Sequence, residues 1–135
     1  MREKICTAIG ICGSFLAGLF GGWDKSVTAL VLFMAVDYIS GSLVALVFHR
    51  SQKTQSGSYS SGYGFRGLVK KFMILLMVLL GRQLDLVLGC DYIRNAACIG
   101  FLTNELVSIL ENAGLMGLPI PKAIRAALDL LRKKP

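Results

Sequence analysis

Charge and histidine are both scarce in this chain. Only 17% of its 135 residues are Asp, Glu, Lys or Arg, and His49 is the single histidine. One imidazole beside a basic segment cannot assemble a histidine metal site or a Ser-His-Asp or Cys-His arrangement. The four cysteines, Cys6, Cys12, Cys90 and Cys98, form no C-x-x-C pair. The spacing Gly62-x-Gly64-x-x-Gly67 has no preceding strand, so a phosphate-cradling loop is excluded too. No metal, cofactor or catalytic residue is expected, and the chain does not read as an enzyme. A net charge of +7 could point to nucleic acid, but the basic residues border apolar stretches, where anionic lipid accounts for them.

What the chain has instead is apolar length. Hydrophobic residues make up 54% of it, more than a soluble domain of this size hides. Four stretches, residues 5–22, 26–48, 72–90 and 93–110, each approach the ~17–25 residues of a bilayer crossing. The expected fold is an all-α integral membrane protein with four transmembrane helices, or three if residues 5–22 do not span. Arg2 and Lys4 ahead of that first stretch resemble a signal peptide, but no small-x-small cleavage site follows, so it reads as a retained helix. Residues 1–118 form the transmembrane domain, with a mobile basic loop at 49–71, and residues 119–135 form a cytoplasmic basic tail. In that tail Lys122, Arg125, Arg132, Lys133 and Lys134 face the membrane surface as part of an amphipathic helix.

Twelve of the fifteen Lys and Arg fall in three segments: residues 2–4, 50–71 and 122–134. The turns at 23–25 and 91–92 carry only Lys25. Cytoplasmic segments retain basic residues, so both termini and the 49–71 loop are expected in the cytoplasm.

Within the spans, small residues recur at helical spacing: Gly10, Ser14, Gly18 and Gly22 in the first, Gly41 and Ala45 in the second. Such rows let helix backbones approach closely, within one subunit or between subunits. Polar residues sit where lipid is expected: Asp37 midway along the second span, and Arg82 and Asp85 three apart in the third. In the fourth, Ala97, Gly100, Asn104, Ser108 and Glu111 fall within about 80° of one another, with Glu105 on the flank. Intramembrane charges are usually paired or face water. Arg82 is expected to pair with Asp85, or with Asp37 from the neighbouring span, and Phe101, Leu102 and Leu106 are expected to face lipid.

Taken together, Asp37-Tyr38 with Gly41, Ser60-Ser61, Gly64-x-x-Gly67-x-x-Lys70-Lys71, Asp85, and Asn104-Glu105-x-x-Ser108-Ile109-x-Glu111-Asn112 leading to Gly117-x-Pro119-x-Pro121 resemble the toxin-secretion/phage-lysis holin family. The resemblance covers residues 25–135 and implies a small membrane protein that associates with itself. It implies a lesion in the inner membrane through which an endolysin or large toxin leaves, without direct binding of that cargo. The alternative is a small four-span ion channel or transporter acting as a dimer. Small multidrug exporters depend on a first-span Glu, whereas residues 5–22 contain no acid, and dual insertion needs a weaker charge bias.

This topology makes a direct prediction. In a cysteine-free background, single cysteines at positions 23 and 91 should label from outside, and those at positions 2 and 60 only after permeabilisation. External labelling at position 2 would replace four spans with three.

Overall fold

The structure, a computed structural model, describes residues 1–51, 57–58, 60–133; Lys53 and Lys134, both among the basic residues discussed above, lie outside them. The described residues are helical, with no strand: α1 (Arg2–Leu19), α2 (Lys25–Leu43) prolonged by a π-helical turn (Val44–Phe48), α3 (Ser61–Leu88), α4 (Ile93–Leu115) and α5 (Lys122–Lys133). By length and apolar composition one of them, Lys25–Phe48, suffices to cross a membrane. Charged residues at the start of α1 and along α3 and α4 interrupt the apolar runs of the others.

Local chemistry explains the boundaries. Asp24 caps α2, its carboxylate accepting from Val27 N–H at 3.1 Å. Between α1 and α2 the chain reverses through Gly21 (φ 81°) and Gly22 (φ 96°), conformations that a side chain would strain. Ser60 caps α3 by accepting from Tyr63 N–H, so residues 61–71, expected within a mobile loop, are the first turns of α3. Its glycines disfavour helix, but Gly67 seats on the Tyr38 ring, with an added Cβ only 3.8 Å away, and tertiary packing overrides propensity. At 28 residues α3 is about 42 Å long, longer than a bilayer core is thick.

The α4 helix lies against both α2 and α3. Val27, Leu30, Met34, Val78 and Cys98 make the buried centre, flanked by Phe20, Ile74, Phe101 and Leu102. Leu106 is buried as well. The Phe101, Leu102 and Leu106 face, expected against lipid, therefore packs inside the bundle. The outer surfaces are strongly apolar: Phe15 and Leu16 of α1, Leu32 and Ile39 of α2, and Leu80, Leu84 and Val87 of α3 are all exposed.

Helix α1 buries no residue. A Cβ added at Gly10 or Gly18 would meet nothing within 4 Å and Ser14 is exposed, so among the described residues these three pack against no other helix, whereas the Gly22 carbonyl accepts from Arg94. The tight helix approach is elsewhere: a Cβ on Gly81 of α3 would stand 3.1 Å from Arg94 Cα of α4.

Two buried charges lock that crossing. Asp85, 2% exposed, accepts from Ile93 N–H (2.9 Å), Arg94 N–H (3.1 Å) and the Cys90 thiol (3.3 Å). A carboxylate on the orphan amides of a helix N-terminus is favoured by hydrogen bonding and by the helix dipole. Arg94, 5% exposed, uses its guanidinium fork in full. Nε donates to Phe20 O (2.9 Å), Nη1 to Asp24 Oδ2 (2.7 Å) and Asn95 Oδ1 (3.1 Å), and Nη2 to Asp24 Oδ1 (3.0 Å) and Gly22 O (3.2 Å). Gln83 of α3 adds a bond to Leu19 O at 3.1 Å. The carbonyls at the end of α1 thus receive donors from α3 and α4.

The Arg94 hydrogen bonds hold the Asp24 carboxyl below the ordinary carboxylate range. A lowered pKa contributes stability that is present above the unfolded value near 3.9 and fades as pH falls through the folded one. The side chain is 50% exposed, so this contribution is small. Arg94→Lys keeps the charge but loses the fork. Unfolding in detergent should show it less stable by about 2 kcal/mol, with Asp24→Asn milder and its difference from wild type shrinking below pH 4. Wild-type stability in Arg94→Lys would refute the clamp.

Candidate functional site: a polar cavity inside the bundle

Near the opposite end of the bundle, α2, α3 and α4 enclose a cavity of about 550 Å³. Its floor is built from one charged residue of each helix. Lys71 Nζ of α3 donates to Asp37 Oδ2 of α2 at 2.8 Å and to Glu105 Oε2 of α4 at 2.7 Å. Asp37 and Glu105 are each 6% exposed. Asn112, also buried, ties the same place together: its Nδ2 donates to Asp37 Oδ1 (3.1 Å), Asp37 O (3.3 Å) and Ser40 Oγ (2.9 Å). Ser108 lines the same cavity. Two carboxylates around one ammonium give the floor a formal charge of −1, and burial at this depth is tolerable only because each charge has a partner.

Helical periodicity decides which residues arrive here. Cys98, Glu105 and Asn112, seven apart and all buried, mark the inward face of α4. The expected stripe is rotated from it: Asn104, Ser108 and Glu111 line the cavity, but Asn104 and Glu111 are exposed at its edge, and Gly100 is exposed. Gly41 and Ala45 of α2 line the wall. Asp85 and Arg82 stand at the other end of the bundle, and among the described residues Arg82 forms no ion pair. Asp85 is spent on the α4 amides, while Arg82 lies along Gly21 with its Nε buried and unpartnered. The acids of the cavity find their base in Lys71, which basic-loop patterning had placed outside the span. Asn112 was visible only as a motif position, and Arg94, the second residue of the 93–110 stretch, belonged to no motif. No group of three His, Cys, Asp or Glu among the described residues is placed to hold a metal ion.

Most of the motif residues scattered along the sequence meet at this one place, Asp85 and the Gly117-x-Pro119-x-Pro121 segment excepted. Asp37, Tyr38 and Gly41, then Ser60, Gly64, Gly67, Lys70 and Lys71, then Asn104, Glu105, Ser108 and Glu111 are all cavity residues. The model of the bacteriophage holin family matches residues 14–133. The chain belongs to that family. Membership makes it a holin-like membrane protein. It is 39% identical to an uncharacterized protein of Listeria innocua over 125 residues, 90% of this chain and 84% of that one. An uncharacterized protein of Clostridium perfringens is 33% identical over 134 residues, covering 96% and 93%. One from Halalkalibacterium halodurans is 34% identical over 138 residues, covering 98% and 96%. No solved structure matches the chain.

The floor predicts a non-additive mutation series. Lys71→Met leaves two buried carboxylates facing each other and should destabilise the bundle by about 3 kcal/mol or more in detergent unfolding. Adding Asp37→Asn and Glu105→Gln should recover most of that loss. A triple variant no better than the single one would show that Lys71 does not neutralise these acids.

Proposed function

We propose that this holin-family chain is a multi-pass protein of the bacterial inner membrane that assembles with itself into a non-selective lesion, through which an endolysin or large toxin leaves the cytoplasm. In this reading α1 to α4 cross the bilayer with both termini inside, and α5 lies on the inner surface through Lys122, Arg125, Arg132 and Lys133. Its work is a cooperative transition within the membrane, without a catalytic centre.

The observation that carries the reading is the contrast between α1 and the rest of the bundle. Asp37, Lys71 and Glu105 satisfy one another within α2–α4, whereas α1 leaves Gly10, Ser14 and Gly18 open along its length. Apolar burial does not drive association in lipid; close backbone packing does, and an open small-residue face is what a neighbouring subunit needs. The polar edge of Asn104, Ser108 and Glu111 can turn toward water only when several subunits surround it. Permeability should therefore depend steeply on surface density.

The polar cavity favours a second reading, a small dimeric channel or transporter with its pathway through Asp37 and Glu105. The two differ in time course. Expression of the chain alone should leave membrane potential unchanged through a lag, then collapse it abruptly with release of a cytoplasmic reporter of enzyme size. Gly18→Leu, at a position where an added Cβ meets nothing within 4 Å, should shift crosslinked oligomers downward and lengthen the lag. Graded, ion-selective conductance from the start, without reporter release, would reject the lesion and establish the channel.

A further inference from the structure

The cavity is more than an internal ion pair, because its charges are segregated by depth. The buried floor is the acid–base–acid set of Asp37, Lys71 and Glu105. The exposed rim carries Arg66 and Lys70 from α3, with Glu111 from α4 opposite. Among the described residues neither Arg66 nor Lys70 makes an ion pair, so two guanidinium and ammonium groups one helical turn apart overhang a polar hole without a partner. They stand on the N-terminal turns of α3, which project beyond the apolar part of that helix.

We propose that the cavity binds the headgroup of an anionic glycerophospholipid of the inner leaflet, its phosphodiester on Arg66 and Lys70 and its polyol hydroxyls inside. This rests on the membrane placement above, which puts the 49–71 end of the bundle at the cytoplasmic interface. Basic pockets between helices at that interface suit phosphate headgroups. The volume of about 550 Å³ falls within the ~300–1,000 Å³ of small-molecule sites. The inner chemistry selects the rest of the headgroup. Glu105, Asp37 and Glu111 are acceptors that polyol hydroxyls can satisfy, and the Asn104 amide and Ser108 hydroxyl line the same wall. The trimethylammonium of choline offers no hydrogen bond to these acceptors, and an ethanolamine ammonium would meet floor acids of which Lys71 already holds one oxygen each. Bound there, the lipid bridges α2, α3 and α4 and makes their packing sensitive to leaflet composition.

Native mass spectrometry of the full-length protein, exchanged into micelles with equal phosphatidylglycerol, phosphatidylethanolamine and phosphatidylcholine, tests this directly. Phosphatidylglycerol should be retained near one per chain, at least about fivefold over either competitor. Arg66→Gln with Lys70→Gln, both exposed and neutral for folding, should lower retention roughly tenfold. Lys122→Gln with Arg125→Gln, which removes the same charge from α5, should not. Loss of retention in the wild type on adding millimolar soluble glycerol phosphate would support the site and assign it to a free phosphate ester in place of the lipid. Equal retention by the Arg66/Lys70 variant, or of all three lipids, would overturn the proposal. Alkaline carbonate extraction of cell membranes separates this from the underlying reading: release of the chain into the supernatant would sink membrane insertion itself, whatever the lipid result.

Discussion

Lys71 reaching between Asp37 and Glu105 is the constraint on which the bundle turns. Each of the three groups sits on a different helix, and none can be buried alone without a cost of several kcal/mol. Their mutual bonds at 2.8 and 2.7 Å fix the rotation of α2, α3 and α4 about their own axes. Once Glu105 points inward, Cys98 and Asn112 follow at seven-residue spacing, and Leu106 is carried into the core beside them. The polar set thus supplies specificity, while the apolar contacts of Leu30, Val78 and Cys98 supply the close packing.

The other end of the bundle uses the same economy of charge in a different form. Asp85 serves helix amides, and Arg94 serves both a carboxylate and the carbonyls that close α1. Their effect is positional: the two polar ends hold α4 against α3 at the Gly81 crossing and tether α1 by its C-terminal turn alone. A helix anchored at one end, apolar beyond its charged first turn and lined with small residues, has its sides free for packing. That asymmetry, three helices packed together and a fourth held at one end, is the feature on which the proposed assembly rests.

The helices, their approximate limits and the all-α class were legible in the chain, because apolar length, capping residues such as Asp24 and Ser60, and the glycine reversals act locally. So was the family, through motif residues that chain order keeps recognisable. The exception among the boundaries is residues 61–71. Their glycine and serine content reads as loop, whereas the structure makes them helix, capped by Ser60 and with Gly67 against the Tyr38 ring.

Which polar residues meet was not legible, because pairing across helices depends on rotation and on the reach of side chains, neither of which has a local signature. Arg82 and Asp85 share a helical face by spacing, yet Asp85 lies closer in bonding terms to α4 amides that begin eight residues later. Asp37 and Glu105 have no nearby base in sequence, yet Lys71 lies 34 residues from each and bridges them. The chain alone determined that charges within its apolar helices must find partners, since lipid and protein interior alike penalise them unpaired. Tertiary structure alone decided which partners, because that choice belongs to the register and rotation of three helices packed together.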